Sequence, residues 1–223
     1  SGTAGDPVST SIGEYSFSLP LLDLGGRIPI QFALYYASRL DKSAGAHNDP
    51  FGGDQFSHNF YVTLQRVDDA TATVFFGNGN LATFEKSSGQ WAVTGEEIIF
   101  QLQEDDGRYF LLDPIAQRIY TFDKASVSGQ RVGALARVED RNGSAQTFTN
   151  DRAWRVTRVE DGLGRSLDFT YTNPTDNLDW PHLSQVADQT GRAVQFGYQV
   201  TTEDVMTIHL TAVTDTLGLA TTF

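Results

Sequence analysis

The stretch that decides the fold is Val156–Tyr171, which reads VTRVEDGLGRSLDFTY. Its framework is an apolar residue, Val, Asp, Gly and Phe at fixed offsets, and this framework occurs four times between Leu135 and Phe223. The four copies are Leu135, Val138, Asp140, Gly143, Phe148; Val156, Val159, Asp161, Gly164, Phe169; Leu183, Val186, Asp188, Gly191, Phe196; and Leu210, Val213, Asp215, Gly218, Phe223. The copies start 21, 27 and 27 residues apart. An internal repeat sets the architecture, so the recurring residues are predicted to be structural.

The chemistry of the repeat predicts a β-hairpin. An Asp side chain accepts hydrogen bonds from backbone N–H groups just ahead of it, and a Gly three places on adopts positive φ at low cost. The apolar residue and Val then lie on the strand before the turn and Phe on the strand after it. Tyr171 and Tyr198 follow their Phe by two residues and should share its face. Since one hairpin is marginally stable, the hairpins should stack side by side in one sheet.

The rest of the chain also favours strands over helices. The 223 residues include 15 Phe, 8 Tyr and 21 Gly, and no convincing amphipathic helix is present. We predict an all-β fold, an antiparallel meander of repeated hairpins forming a curved sheet. Three segments are expected: a leader at 5–64, a hairpin meander at 65–133 and the repeats at 134–223.

Individual strands can be placed within the first two segments. The predicted strands are Tyr15–Leu19, stopped by Pro20, then Ile28–Tyr36, Phe56–Leu64, Thr73–Phe76, Leu81–Phe84, Glu97–Leu102, Tyr109–Leu112 and Arg118–Phe122. Lys124–Gly133 is predicted to be a short polar connection across which the sheet continues. Asn173–Pro181 and Gln199–Met206 are insertions within the repeats and are expected to be exposed loops.

Charge and composition exclude several classes of function. The net charge is −12, which argues against a nucleic-acid or anionic-membrane partner. Cysteine is absent, so no disulfide, thiolate nucleophile or Cys-ligated metal is expected. No stretch approaches the roughly 20 apolar residues of a membrane span. The first five residues lack the features of a signal peptide.

The repeats resemble those of the Rhs/YD-repeat family, whose unit has the form L-x-x-V-x-D-x-x-G-R-x-x-x-F-x-Y. Val156–Tyr171 and Leu183–Tyr198 follow this form throughout. The first segment is similar to the domain that often precedes such repeats, on the marks Gly5–Val8, Gly13-Glu14, Ile28–Ile30 before Tyr35-Tyr36, and Phe51-Gly52 before Phe56–Asn59. The resemblance covers nearly the whole chain.

The resemblance implies a β-sheet ribbon that coils into a hollow shell around a C-terminal toxin domain, of which this chain would be one part. The implied partners are the remaining shell and the enclosed toxin, and the implied location is secreted or on a bacterial cell surface. Two other functions stay open: a surface adhesion protein that binds sugars or proteins, and an autoproteolytic protein whose cleavage site lies beyond Phe223.

No catalytic, cofactor-binding or metal-binding residue is predicted. Asp215–Leu219 and Asp113–Ala116 imitate the D-P-x-G-L site at which family members cleave themselves, but Asp215 is in repeat phase and Asp113 lacks the Gly. The histidines His47, His58, His182 and His209 are not spaced for a metal. Asp68-Asp69, Gly77–Asn80 and Asp105-Asp106 are interpreted as turns. Among Trp91, Trp154 and Trp180, Trp180 is the best candidate for stacking on a sugar, although packing is favoured.

Overall fold

The computed structural model describes residues 8–9, 14–42, 49–52, 55–95, 99–127, 129–175, 180–201 and 206–223. These residues form two antiparallel sheets, and no helix is present among them. The all-β prediction is therefore confirmed. The strands are β1 Val8–Ser9, β2 Glu14–Asp23, β3 Gln31–Ala37, β4 Phe56–His58, β5 Thr63–Arg66, β6 Thr71–Phe75, β7 Leu81–Ser87, β8 Gln90–Val93, β9 Gln101–Glu104, β10 Arg108–Asp113, β11 Arg118–Val127, β12 Gln130–Asp140, β13 Ala145–Asn150, β14 Val156–Asp161, β15 Ser166–Thr172, β16 His182–Asp188, β17 Ala193–Thr201, β18 Thr207–Thr214 and β19 Ala220–Thr222.

Strands β1 to β4 form the small leader sheet. The prediction that Pro20 stops the strand Tyr15–Leu19 was wrong, because this strand, β2, continues to Asp23 with an irregularity at Pro20/Leu22. Pro20 lies opposite Ala33, whose N–H and carbonyl both bond to Asn59 on the other side of β3. The backbone groups of Ala33 therefore point away from β2, and Pro20–Ala33 is one of the pairs in the ladder that exchange no hydrogen bond. The Pro20 nitrogen points to the open edge of β2, where no N–H is needed.

Two further strand predictions in the leader were wrong. The strand predicted at Ile28–Tyr36 begins at Gln31, because Ile30 N–H bonds to the Gly25 carbonyl in a turn at 3.2 Å. The strand predicted at Phe56–Leu64 is two strands in two sheets, β4 and β5. The two strands are separated at Asn59. Its side-chain amide accepts a hydrogen bond from Ala33 N–H at 2.8 Å and donates one to the Gln31 carbonyl at 2.7 Å.

The long sheet has fifteen strands and branches at β12. One edge of β12 pairs with β11 along its whole length, and the other pairs first with β5 and then with β13. Lys124–Gly133, predicted to be a connection, instead lies mostly in β11 and β12, with a turn around Gly129. Because β12 belongs to the meander and to the repeats, the sheet is continuous between them.

Two other boundaries also differ from the sequence expectation. The strand expected at Glu97–Leu102 begins at Gln101 as β9, and residues 96–98 lie outside the described part. The start of the second insertion, expected as a loop from Gln199, belongs instead to β17, which pairs with β18 as far as Thr201 opposite Thr207.

The apolar positions of the repeats form the core of the array. The first apolar residue, Val and Phe of every copy are buried, except for Phe223, which is 47% exposed. The leader sheet covers this face: the Phe32 ring lies 5.9 Å from both Phe169 and Phe196, and the Phe51 ring 5.6 Å from Phe196. The leader and the array therefore share one core.

Candidate functional site

The four repeat turns have one geometry. In each, the Asp backbone N–H donates to the carbonyl four residues on, at 2.9, 3.0, 2.9 and 2.9 Å, and the Gly N–H donates back to the Asp carbonyl. The Asp carboxylate also accepts from the N–H groups two and four residues ahead. The glycines have φ of 82°, 78°, 90° and 81°. The predicted turn, with Asp as acceptor and Gly in the left-handed region, is confirmed.

An arginine closes the second and third turns. The guanidinium of Arg165 pairs with the Asp161 carboxylate at 2.5 Å, and that of Arg192 pairs with Asp188 at 2.7 Å. Burial opposes ionisation of Asp188, but hydrogen bonds from Thr190 and Arg192 outweigh it and lower the pKa of Asp188 to about 2. The pKa of Asp161 is lowered in the same way. Both carboxylates are thus held ionised as parts of the turn.

A fifth turn of the same kind joins β13 to β14. Asp151 N–H donates to the Arg155 carbonyl at 2.9 Å, and the Asp151 carboxylate pairs with the Arg155 guanidinium at 2.6 Å. Trp154 stands at the glycine position with φ of 62°. The repeat pattern missed this turn because no Gly marks it; the available signal was the Asp-x-x-x-Arg spacing that it shares with Asp161 and Asp188.

The side chain two residues after each buried Phe donates a hydrogen bond to the carbonyl of the first apolar residue of its own repeat. Tyr171 hydroxyl donates to the Val156 carbonyl at 3.0 Å, and Tyr198 hydroxyl to the Leu183 carbonyl at 2.6 Å. Both rings pack against the core, as predicted. In the first copy Asn150 replaces Tyr, and its amide donates to the equivalent Leu135 carbonyl at 2.9 Å. The substitution therefore preserves the hydrogen bond.

The turns also dock the leader onto the array. Arg165 guanidinium donates to the Leu24 carbonyl at 2.8 Å, and a Cβ at Gly26 would lie 2.2 Å from the same guanidinium. The buried Gln146 amide donates to the Pro29 carbonyl at 2.9 Å. Arg165 therefore stabilises its own turn and also binds the leader.

The second docking contact is made by Asp49–Gly52. Leu183 N–H donates to the Pro50 carbonyl at 2.8 Å, and the Trp180 indole to the Asp49 carbonyl at 3.4 Å. Asp49 is also in a buried ion pair with Lys42 at 2.6 Å. Trp180, the candidate for sugar stacking, thus anchors its loop to the leader.

His58 lies in the shared core. It is 1% exposed, and its ring is 5.4 Å from Phe32, 6.1 Å from Phe51 and 5.6 Å from Phe169. Its Nδ1 has no hydrogen-bond partner among the described residues. Burial lowers the pKa of His58 to about 3, so the ring is neutral at pH 7. This matches the packed role predicted for it.

The other sequence candidates do not come together in one place. His182 is buried against Tyr198 with its ring 5.2 Å away, His209 is exposed, and His47 lies outside the described residues. Asp215 forms the fourth repeat turn, and Asp113 accepts from Ile115 and Ala116 N–H at 2.9 Å in a turn. The turns predicted at Asp68-Asp69, Gly77–Asn80 and Asp105-Asp106 each contain a side-chain acceptor for a backbone N–H. That none of these residues is catalytic stays a prediction.

Part of the chain matches a known protein family. Residues 5–84 match a family described as "Domain of unknown function (DUF6531)". The matched region spans the leader segment and β5, β6 and most of β7, which is less than half of the chain. No curated protein matches the chain. The match thus concerns the leader and the first strands of the long sheet, and not the repeats themselves.

The described part of the chain contains no helix long and apolar enough to cross a membrane. Within the same residues, no three His, Asp or Glu side chains are grouped so that they could hold a metal ion.

Proposed function

We propose that this chain is a non-catalytic wall segment of an Rhs/YD-repeat shell that encloses a C-terminal toxin and helps to deliver it. The main support is that every repeat adds one hairpin to the same sheet through the same Asp-x-x-Gly turn. A sheet that grows by identical units can extend over a large surface, since each unit contacts only its neighbours.

The two faces of the array differ in a way that suits a wall. One face is apolar and is covered by the leader sheet. The other carries half-exposed ion pairs, in which Arg158 bonds Asp168 at 2.7 Å and Glu160 at 2.9 Å. A polar face of this kind can line a compartment without adhering to an apolar cargo. On this proposal the partners are the remaining shell and the toxin, and the location is secreted or on the surface of a bacterium.

The experiment uses the full-length product of the natural gene and limited proteolysis. Any domain that follows the repeats should resist protease in the wild type and become cleavable in Gly164→Val, whose turn is strained. Gly162→Val is the matched control and should retain protection. A downstream domain that is cleaved equally in all three proteins would overturn the proposal, as would a gene product that has no domain after the array. A membrane anchor or sorting signal after the array would instead favour adhesion.

The non-catalytic part of the proposal has its own test. The purified chain, incubated for days at neutral pH, should show no cut at Asp215 by intact-mass measurement. A cut at Asp215 that is absent in Asp215→Asn would show that Asp215 takes part in self-cleavage, and the non-catalytic proposal would then be wrong.

A further inference from the structure

A pocket of about 220 Å³ lies where the leader, the meander and the first repeat meet. The leader contributes Ile28 and Pro29, the loop after β6 contributes residues 76–78, and strands β11 to β13 contribute the opposite wall. The buried Gln146 fixes the leader at this wall, because its amide donates to the Pro29 carbonyl at 2.9 Å. We call this space the junction pocket.

Aromatic rings line the junction pocket in two pairs. The ring centres of Phe60 and Phe148 are 6.0 Å apart, and those of Phe76 and Tyr120 are also 6.0 Å apart. Phe76 and Tyr120 are only half-buried, so the pocket is open to solvent on their side. An apolar cavity of about 150 Å³ can bind benzene, and pockets for drug-sized ligands begin at roughly 300 Å³. The junction pocket thus has space for one benzene ring and a short polar group.

The charge at the junction pocket is positive. Among the described residues that line it, Arg118 is the only charged one, and it is half-buried. The cross-strand neighbours of Arg118 are Asp113 and Asp140, and neither lines the pocket. Asp113 accepts N–H groups of its own turn, and Asp140 pairs with Arg27 at 3.5 Å. The Arg118 guanidinium is therefore available to an anion in the pocket.

Tyr120 adds a neutral donor beside this charge. Burial raises the pKa of the Tyr120 hydroxyl, and the neighbouring Arg118 acts in the opposite direction. The hydroxyl therefore keeps its proton at neutral pH and lies close to the guanidinium. A carboxylate in the pocket can accept hydrogen bonds from both groups, and the bond from the guanidinium is charge-assisted.

We propose that the junction pocket binds a small aromatic carboxylic acid. Its ring lies between the two aromatic pairs, and its carboxylate binds Arg118 and Tyr120. An aliphatic acid of similar length should bind less well, since contacts between aromatic rings contribute beyond the area they bury. The inference does not depend on the shell function, because this chain alone forms the pocket.

Saturation-transfer NMR on the purified chain tests the ligand class. Three probes are compared: phenylpropionate, its neutral amide phenylpropionamide, and hexanoate. Phenylpropionate should bind with a Kd on the order of 1 mM or tighter, which a ligand of this size can reach. The amide should bind at least about tenfold more weakly because it lacks the charge that Arg118 binds. Hexanoate keeps the carboxylate but has no ring, and should bind at least about threefold more weakly.

Variants of the chain test the position of the bound acid. Arg118→Gln should weaken binding of phenylpropionate about tenfold and leave binding of the amide unchanged. Arg108→Gln is the matched control, since Arg108 is on the neighbouring strand β10, pairs with Asp123 and does not line the pocket. Val62 lines the pocket, so Val62→Phe should fill it and abolish binding of both the acid and the amide.

Three results would each overturn the proposal. The first is no binding of phenylpropionate at about 10 mM. The second is equal binding of the amide or of hexanoate to the wild type, a comparison that holds even if a variant folds poorly. The third is binding of phenylpropionate that neither Arg118→Gln nor Val62→Phe weakens, which would place the acid elsewhere on the protein.

Discussion

At the scale of single residues, His58 makes the fold sensitive to acid. Its folded-state pKa is lowered to about 3 by burial, whereas the unfolded chain takes up the proton near 6.5. The unfolded state therefore binds more protons between these values, and the stability that the neutral ring provides is lost as pH falls from 6.5 towards 3. The loss at the lower end is on the order of 4 kcal/mol.

Urea unfolding at pH 7.5 and pH 4.5 measures this loss. His58→Phe keeps an aromatic ring among Phe32, Phe51 and Phe169 and should make the free energy of unfolding less dependent on pH over this range. His209→Gln, at an exposed position, is the control and should follow the wild type. If His58→Phe loses as much stability between the two pH values as the wild type, the assignment of acid sensitivity to His58 is wrong.

Gly164 is needed for its backbone conformation and not for space. Its φ is +78°, and a Cβ there would meet no atom within 4 Å. Gly164→Val should therefore cost about 1–2 kcal/mol through left-handed strain alone. Gly162, in the same turn, is equally open but outside the left-handed region, so Gly162→Val should cost about 0.5 kcal/mol or less. Chemical denaturation of both variants checks the difference, and equal losses would contradict the turn assignment.

At the scale of elements, the hydroxyl of the repeat tyrosine joins the return strand to the start of its own repeat. Tyr171→Phe and Tyr198→Phe should each lower the free energy of unfolding by about 1 kcal/mol, since each leaves a carbonyl without its donor. Tyr15→Phe, at a side chain that is 43% exposed, should have little effect. Stabilities equal to that of the wild type in both repeat variants would show that the bond to the carbonyl contributes nothing.

The sequence predicted these hairpins well because the information is local. Asp161 and Gly164 lie three residues apart and specify their turn without help from the rest of the chain. The Asp151 turn was not predicted because Trp154, and not Gly, has the positive φ that this turn needs. The branch at β12 was not predicted for another reason. It depends on the pairing of Val132 with Gln65, two residues that are far apart in the sequence.

At the scale of the whole molecule, the leader and the array are expected to unfold together. The sequence placed them in separate segments, since nothing local reveals that Phe32 and Phe51 pack on the repeat phenylalanines. Gly52 of the leader lies directly against His182 of the array. Its φ is +67°, and a Cβ there would lie 2.0 Å from Nε2 of the His182 ring.

Gly52→Ala should thus destabilise the whole protein by roughly 2–3 kcal/mol, through overpacking and left-handed strain. For a chain of this length that corresponds to a fall in Tm of roughly 5–10 °C in a single calorimetric transition. Gly107→Ala is the control, because no atom lies within 4 Å of its Cβ and its φ is outside the left-handed region. A transition that splits in two, with only one part shifted, would mean that the leader and the array are independent folding units despite their shared core.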